Sequence, residues 1–319
     1  MRKDCRTATR VETGTVQGYH QGIWDESYAF QGFKSNKYFT SDRFIKLNEN
    51  YQRSDGKPMQ GFGLEIETEC WGVKNTRALA DVLQKIVFSV FPDDLFKLQH
   101  DSSLGVDDDD DYNNALGVEC ISQVMTKQFI RNHYKDFKAM YDTYFDDYEF
   151  SCTRSGNCGM HVNVSNAVFG DTEDKQIEAI RKLHYFINKN YTLSCHLLSR
   201  STDHTSYCER MGWEYSQTMD IYGGSHGSSM NYSHFRNGRI EIRLVGGQRD
   251  YNTFRNTMET IFFLCDRVKK ISWDDLNDIT KVFSGCNQYV LKRLRYCGLP
   301  YSDYEKIQQS VKTEDLDLV

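Results

Sequence analysis

The chain lacks most of the features that mark specialised protein classes. Only three prolines occur among its 319 residues, and no rigid linker or internal repeat divides it. No apolar run approaches the roughly 20 residues of a membrane span, so no membrane partner is expected. The formal net charge of −6 argues against a dedicated nucleic-acid binder, which usually carries a basic patch. The first residues lack an apolar signal core, which predicts a cytoplasmic protein.

The ten cysteines lack the spacing of a disulfide framework or a structural zinc site. None stands in Cys-x-x-Cys spacing, and they are scattered singly from Cys5 to Cys297. Without a secretory signal, reduced and mostly buried thiols are the favoured interpretation. Apolar residues make up 39% of the chain and aromatic residues 13%, which is enough for a hydrophobic core.

The segment from Gly61 to Glu69 alternates apolar and acidic residues. Side chains of a strand point to opposite faces with a period of two, so the pattern predicts a half-buried strand. Its polar face carries Glu65, Glu67 and Glu69. Neighbouring carboxylates repel one another, whereas Mg²⁺ takes carboxylate oxygens as ligands. The strand is therefore either part of a metal site or a solvated edge strand whose charges prevent aggregation.

Further segments obey the same rule, with an apolar face opposite a face of catalytic residue types. Leu95 to Asp101 and Leu116 to Cys120 are predicted strands, and Met160 to Ser165 is a third. A hairpin is predicted from Met230–Phe235 and Arg239–Val245, with Asn237-Gly238 as its two-residue turn. The polar positions of these strands are Asp101, Glu119, His161, Asn163, Arg239, Glu241 and Arg243.

Amphipathic periodicity predicts the helices that cover the apolar face of this sheet. We expect helices at about 75–90, 126–146 and 171–199, capped by Asn75, Thr126 and Asp171, and more helices over 250–311. The expected fold is α+β, with a mostly antiparallel sheet, helices on one face and an open, concave, polar active-site face on the other. Residues 1–60 form an irregular N-terminal arm, and 61–319 form one catalytic domain with a helical C-terminal part.

Two polar segments have open interpretations. Asp107 to Asp111 are five consecutive aspartates, which form either a solvated run or a lid or cation funnel. The region of about 200–230 contains His226 among glycines and serines, and is either a substrate loop or a plain flexible loop.

Taken in order, four motifs of the chain resemble the amidoligase family. They are Gly-x-Glu-x-Glu, then Asp-x-Ser with Gly-Val-Glu-Cys-Ile-Ser, then Cys-Gly-Met-His-Val-Asn-Val, and finally Glu-Ile-Arg. The motifs lie between residues 61 and 247. Each is short, but four in this order are more specific than any one. Members of this family are carboxylate–amine ligases related in fold to glutamate–cysteine ligase and glutamine synthetase.

The resemblance implies an ATP- and Mg²⁺-dependent ligase that forms amide or peptide bonds through an acyl phosphate. The substrates would be ATP with a small-molecule or peptide carboxylate and an amine. The implied metal ligands are Glu65, Glu67, Glu119, His161 and Glu241. The implied cofactor-binding residues are Asp101, Ser103, Asn163, Arg239 and Arg243, and the implied catalytic residues are Arg243 and, less directly, Arg200. Many relatives have a second histidine where this chain has Asn163.

Two other functions fit the same residues. One is another metal-dependent enzyme, such as a phosphoesterase or nuclease, that uses the carboxylates without forming an amide bond. The other is a non-enzymatic protein that keeps the fold for binding or assembly. The ligase hypothesis predicts that the polar faces of the strands near 61–70, 116–122, 159–166 and 239–245 converge on one pocket.

Overall fold

The structure, a computed structural model, describes most of the chain between residues 60 and 311. The described residues are 24–25, 60–71, 83, 86–87, 89–91, 95–99, 104–106, 115–143, 158–202, 207–222, 227–248 and 250–311. The chain divides into two compact units that interleave along the sequence. The first unit comprises 1–58, 62–161 and 247–251, and the second comprises 59–61, 162–246 and 252–319.

The first unit contains β-strands on both sides of a central strand. Its strands are β1 (Trp24–Asp25), β2 (Phe62–Trp71), β3 (Phe96–Gln99), β4 (Gly105–Val106) and β5 (Ala115–Ser122). Strand β5 pairs antiparallel with β2, β3 and β4, and β1 runs parallel to β3. The register of β2 and β5 puts Glu67 directly opposite Glu119.

Helices of the first unit cover the apolar face of these strands. They are α1 (Lys127–Asn132) and α2 (Tyr134–Asp142), and residues 83, 86, 87, 89 and 90 are also helical. Thr126 caps α1 by accepting a hydrogen bond from the backbone N–H of Phe129. Phe137 of α2 packs edge-on against Phe91 and against Phe96 of β3. Aromatic contacts of this geometry anchor the helices to the sheet.

The second unit contains most of β6 and a short antiparallel pair. Strand β6 (Met160–Ser165) has its first two residues in the first unit and the rest in the second. In the second unit β6 pairs antiparallel with β8 (Arg239–Ile242), which also pairs antiparallel with β7 (Met230–Asn231). Glu241 of β8 therefore stands opposite Asn163 on one side and opposite Asn231 on the other.

The helices of the second unit supply most of its core. They are α3 (Glu173–Lys189), α4 (Tyr191–Leu197), α5 (Tyr251–Val268, with Tyr251 itself assigned to the first unit), α6 (Ile279–Phe283), α7 (Gln288–Leu294) and α8 (Tyr301–Gln309). Short 3-10 helices occur at Asn166–Val168, Phe235–Asn237 and Asp274–Asn277. Phe186 of α3 contacts Phe283 of α6 edge-on, and Phe283 stacks on Phe263 of α5. None of the described helices combines the length and apolar character of a membrane span.

The α+β class and the mostly antiparallel sheet confirm the sequence-based prediction. The prediction that the acidic strand is half-buried was wrong. Glu65 is 7% exposed, Glu67 is 5% exposed and Glu69 is fully buried. The alternation identifies two faces of β2, but both faces are covered in the folded protein.

Several predicted boundaries also need correction. The helix predicted over 126–146 divides at His133, and its residues beyond 143 lie outside the described part of the chain. Thr172, not Asp171, caps α3, and Asn190 separates α3 from α4. Asn190 leaves the helical conformation with φ −102° and ψ 45°, and both its backbone N–H and its side-chain amide donate to Phe186 O at 3.1 Å.

The prediction of a two-residue turn at Asn237-Gly238 was wrong. A 3-10 turn occupies Phe235–Asn237, and Gly238 follows it with a φ of 91°, the left-handed conformation that glycine adopts without steric cost. The predicted helix cap Asn75, the N-terminal arm apart from β1, the acidic run from Asp107 to Asp111 and the loop residue His226 lie outside the described residues. The division of the chain into an arm over residues 1–60 and a catalytic domain over 61–319 stays a prediction.

The cysteines agree with the expectation of buried, reduced thiols. Seven cysteines are free in the described part of the chain, and of these seven only Cys297 is not buried. Burial raises the pKa of the Cys195 thiol to about 11 and that of Cys286 to about 12. Thiols with such pKa values carry almost no thiolate near neutral pH and are chemically inert.

Candidate metal centre and arginine cluster

Three glutamates and one histidine of the first unit meet in a buried group, which we call the carboxylate–histidine cluster: Glu65, Glu67, Glu119 and His161. The imidazole of His161 lies between two carboxylates, with Nδ1 at 3.4 Å from Glu65 Oε2 and Nε2 at 3.5 Å from Glu67 Oε1. Ligand atoms of Glu67, Glu119 and His161 all lie within 4.8 Å of one another. All four residues are buried, with exposed fractions of 5% to 7%.

Local sequence explains why these side chains meet. Glu65 and Glu67 are two residues apart on β2 and so share one face. The antiparallel register brings Glu119 opposite Glu67. Gly159 then ties the start of β6 to β2, because the Glu67 N–H donates to Gly159 O at 3.1 Å and the Gly159 N–H donates to Glu67 Oε2.

The charge of the carboxylate–histidine cluster favours a cation. Three carboxylates give a formal charge of −3, and a protonated His161 would still leave −2. Buried like charges repel strongly, and burying charge without compensation is costly.

The donor set and its spacing fit a divalent ion. Carboxylate oxygens are preferred by Mg²⁺ and Mn²⁺, and imidazole is a common ligand of transition metals. Opposite ligands of an octahedral Mg²⁺ ion lie about 4.2 Å apart, since each bond is about 2.1 Å long. The spacing within 4.8 Å therefore requires only small shifts of side chains to enclose an ion.

The second unit holds a different polar group, which we call the arginine cluster: Asn163, Asn231, Arg239, Glu241 and Arg243. Arg243 Nη1 donates to Glu241 Oε1 at 2.6 Å, and Asn231 Nδ2 donates to Glu241 Oε2 at 3.0 Å. Arg239 Nη1 donates to Asn163 Oδ1. Two guanidinium groups and one carboxylate leave a formal charge of +1, the opposite sign from the carboxylate–histidine cluster.

Asn163 has an explicit role in this arrangement. Its carbonyl oxygen accepts from Arg239, and both side chains are buried. Asn163 thus orients a guanidinium group, which an amide does through its acceptor oxygen irrespective of pH. The histidine expected at this position from the family resemblance would accept such a bond only in its neutral form.

Arg200 makes its described contacts with backbone carbonyls. Its Nη2 atom donates to Val245 O at 2.8 Å and to Arg243 O at 3.3 Å. The chain turns sharply just before it, since Ser199 has a φ of 63°. Gly246 packs so closely there that an added Cβ would lie 2.1 Å from Ser199 O. The hydrogen bonds of Arg200 therefore hold in place the backbone segment after β8, which includes Arg243.

The segment between Glu209 and Ser229 is closed at its base by hydrogen bonds within the second unit. Glu209 N–H donates to Gly227 O at 2.6 Å, and Ser229 N–H donates to Glu209 O at 2.9 Å. The buried Asn188 of α3 accepts at Oδ1 from Met211 N–H and from the Ser229 hydroxyl, both at 2.8 Å. Ser229 O in turn accepts from the Arg243 N–H at 2.9 Å, so the base of the segment is joined to the end of β8.

His184 fixes the same segment to α3. Its Nε2 atom lies 2.7 Å from Gly212 O, and its Nδ1 atom lies 2.7 Å from the Tyr232 hydroxyl. A carbonyl oxygen only accepts, so Nε2 carries the proton and Nδ1 accepts from Tyr232 in the neutral ring. Desolvation lowers the pKa of His184, which keeps the ring neutral.

The structure thus describes nine of the eleven site residues named from the sequence. Glu65, Glu67, Glu119 and His161 meet in the first unit, whereas Asn163, Arg200, Arg239, Glu241 and Arg243 belong to the second. Asp101 and Ser103 lie outside the described residues. The convergence of all these strands on one pocket stays a prediction.

Sequence reasoning missed Asn231 because it assigned the wrong register to the hairpin. A two-residue turn at Asn237-Gly238 would pair Arg236 with Arg239 and put Asn231 opposite Leu244. In the observed register Asn231 stands opposite Glu241. An odd shift of register exchanges the faces of a strand, so the polar partner of Glu241 could not be recognised.

Comparison with protein-family models, with curated proteins and with solved structures finds no match to this chain. The resemblance to amidoligases therefore depends on the four sequence motifs alone.

Proposed function

We propose that the protein is an ATP- and Mg²⁺-dependent carboxylate–amine ligase that acts through an acyl phosphate. The observation that carries the proposal is the buried carboxylate–histidine cluster, whose ligand atoms stand at the spacing of a metal site. The order of the four sequence motifs supports the same function. The arginine cluster adds a group of opposite charge, suited to phosphate oxygens.

The proposed roles follow from the chemistry of each residue. Glu65, Glu67, Glu119 and His161 would hold Mg²⁺, with Glu241 as the ligand contributed by β8. Bound Mg²⁺ would neutralise the charge of the nucleotide phosphates. Arg243 and Arg239 present guanidinium groups to the anionic substrate, and Arg243 neutralises charge on the transferring γ-phosphoryl group. Arg200 supports Arg243 through its backbone.

The reaction balances in two steps. A carboxylate oxygen of the acid attacks the γ-phosphorus of ATP, and ADP leaves. The amine nitrogen then attacks the acyl carbon, loses a proton, and phosphate leaves with the oxygen that came from the carboxylate. Positioning and charge neutralisation are the protein's main contributions to such phosphoryl transfer.

The deciding experiment follows ADP release with Mg²⁺ and ATP across a panel of amino acids and peptides. For an active pair, an acid labelled with ¹⁸O in its carboxylate should transfer one ¹⁸O atom to the released phosphate. Glu119→Gln should abolish both signals, whereas Glu305→Gln, at an exposed position on α8, should leave them unchanged.

Other results would contradict the ligase. Phosphate release without any amide product would indicate a hydrolytic enzyme. A second contrary result is the absence of ADP release across the panel together with a melting temperature that Mg²⁺ and ATP do not raise. It would indicate a protein that keeps the fold for binding or assembly.

A further inference from the structure

The carboxylate of Glu241 is held at both oxygens by two side chains. Arg243, which directly follows the end of β8, donates to Oε1 at 2.6 Å. Asn231, directly opposite on β7, donates to Oε2 at 3.0 Å. Asn231 is 1% exposed and Glu241 is 4% exposed, so water cannot easily replace either contact.

The amide of Asn231 has only one orientation that satisfies its surroundings. The backbone N–H of Ser233 donates to Asn231 Oδ1 at 3.0 Å. A backbone N–H is always a donor, so the amide oxygen must face Ser233 and the NH₂ group must face Glu241. The contact with Glu241 is therefore fixed by the turn that follows β7.

A single donor would leave the Glu241 carboxylate free to rotate. The terminal torsion of a glutamate joins sp³ and sp² carbons and has a broad energy minimum. Donors on two different oxygens fix this rotation. An ionised carboxylate has about four lone-pair sites, and the direction in which they point depends on this rotation.

We propose that Asn231 is a positioning residue, which orients the Glu241 carboxylate for metal binding by donating to Oε2. This inference rests on the proposed function, in which Glu241 is a metal ligand. Partners that orient metal ligands typically change metal affinity by tenfold to a hundredfold when they are removed. In this proposal Asn231 affects metal binding through Glu241, so the two residues should be energetically coupled in metal affinity.

The test is a double-mutant cycle with Mn²⁺ alone as the probe. Free Mn²⁺ is measured by electron paramagnetic resonance for wild type, Asn231→Leu, Glu241→Gln and the double variant. Leucine has nearly the shape of asparagine but no donor. Asn231→Leu should weaken Mn²⁺ binding by about tenfold or more. In the Glu241→Gln background the same substitution should cause little further loss, because its target is already gone.

Asn166 offers a matched control. It is also a buried asparagine of the second unit, and its Nδ2 atom donates to Phe235 O at 2.8 Å, outside both clusters. Asn166→Leu should lower the melting temperature and leave Mn²⁺ affinity at the wild-type value. If Asn231→Leu does not fold, Asn231→Ala takes its place in the cycle with the same expectation.

The outcomes separate the inference from the proposed function. If Glu241→Gln weakens Mn²⁺ binding and Asn231→Leu does not, the inference is overturned and the metal role of Glu241 stands. Additive losses in the double variant would also overturn it, since Asn231 would then act independently of Glu241. If Glu241→Gln itself leaves Mn²⁺ affinity unchanged, Glu241 is not a metal ligand, and the proposed function loses that assignment together with the inference.

Discussion

Glu67 and Gly159 are joined by two hydrogen bonds of opposite direction. The backbone N–H of Glu67 donates to Gly159 O at 3.1 Å, and the backbone N–H of Gly159 donates to the Glu67 carboxylate. The second bond holds Oε2, while Oε1 lies 3.5 Å from His161 Nε2. The start of β6 thereby fixes the direction of the carboxylate that stands at the centre of the carboxylate–histidine cluster.

The first prediction concerns Glu67→Gln. Removing one of three buried carboxylates relieves repulsion, so the metal-free variant should be at least as stable as wild type. The gain in stability from Mg²⁺ with ATP should shrink, because a ligand stabilises only the state that binds it. Thermal melts with EDTA and with Mg²⁺ plus ATP test both expectations.

Glu259→Gln is the control for this prediction. Glu259 is a fully buried carboxylate of α5, and its Oε2 accepts from Asn287 at 3.0 Å. Its substitution should destabilise the protein without changing the gain from Mg²⁺ and ATP. If Glu67→Gln behaves in the same way as Glu259→Gln, the glutamates of β2 serve the fold and not metal binding.

The second prediction concerns Arg243. Arg243→Ala should lower turnover about a hundredfold, equivalent to about 3 kcal/mol, through loss of a charge-assisted donor to the transferring phosphoryl group. Arg243→Lys should restore only part of the rate, because the planar fork is lost. Circular dichroism checks the fold. Normal turnover by Arg243→Ala would make Arg243 a structural residue that pairs with Glu241.

The third prediction is a pH dependence of stability that depends on His184. Burial lowers the pKa of His184 in the folded protein below its usual value of 6.5. The unfolded state therefore binds more protons below pH 6.5, and folding stability falls as the pH decreases from there toward the folded pKa. His184→Gln should remove this contribution. The unfolding free energy of wild type minus that of the variant should therefore become smaller as the pH is lowered. A difference that stays constant from pH 7.5 to 5 would contradict it.

The fourth prediction compares two glycines of the second unit. Gly246→Ala should destabilise the protein by about 1–3 kcal/mol or more, because its Cβ would meet the Ser199 carbonyl group at 2.1 Å. At Gly212 the nearest atom to an added Cβ is 3.6 Å away, so Gly212→Ala should change stability by less than about 1 kcal/mol. Urea unfolding measures both. Equal effects would contradict the close approach at Gly246.

Alternation along the chain predicted β2, β5 and β6, whereas β1 and β4 were not predicted and β7 and β8 are shorter than the predicted hairpin. Strand periodicity is a local property, so β2, β5 and β6 could be recognised without any tertiary contact. The burial of Glu65 and Glu67 could not be predicted, because it depends on chain segments that are distant in sequence. Asn231 was missed for a related reason, since the register of β7 and β8 depends on the 3-10 turn at Phe235–Asn237.

The end of the long predicted helix was missed for a different physical reason. Apolar residues keep a helical period from Ile177 through Leu198, and the pattern continues across Asn190. The helix nevertheless ends there, because Asn190 has the non-helical dihedrals φ −102° and ψ 45°, with its side-chain amide bonded to Phe186 O. Apolar periodicity alone therefore does not predict where a helix ends.

Because hydrogen bonds close the base of the segment between Glu209 and Ser229, this segment is a suitable place for substitutions in protein engineering. Its two ends are already bound to each other and to Asn188, so the entropy of closing the loop does not depend strongly on what lies between them. Exposed residues of its interior, such as Tyr215, can be exchanged while the buried Ser216 and Ile221 are kept and Ser229 still holds the backbone of Arg243.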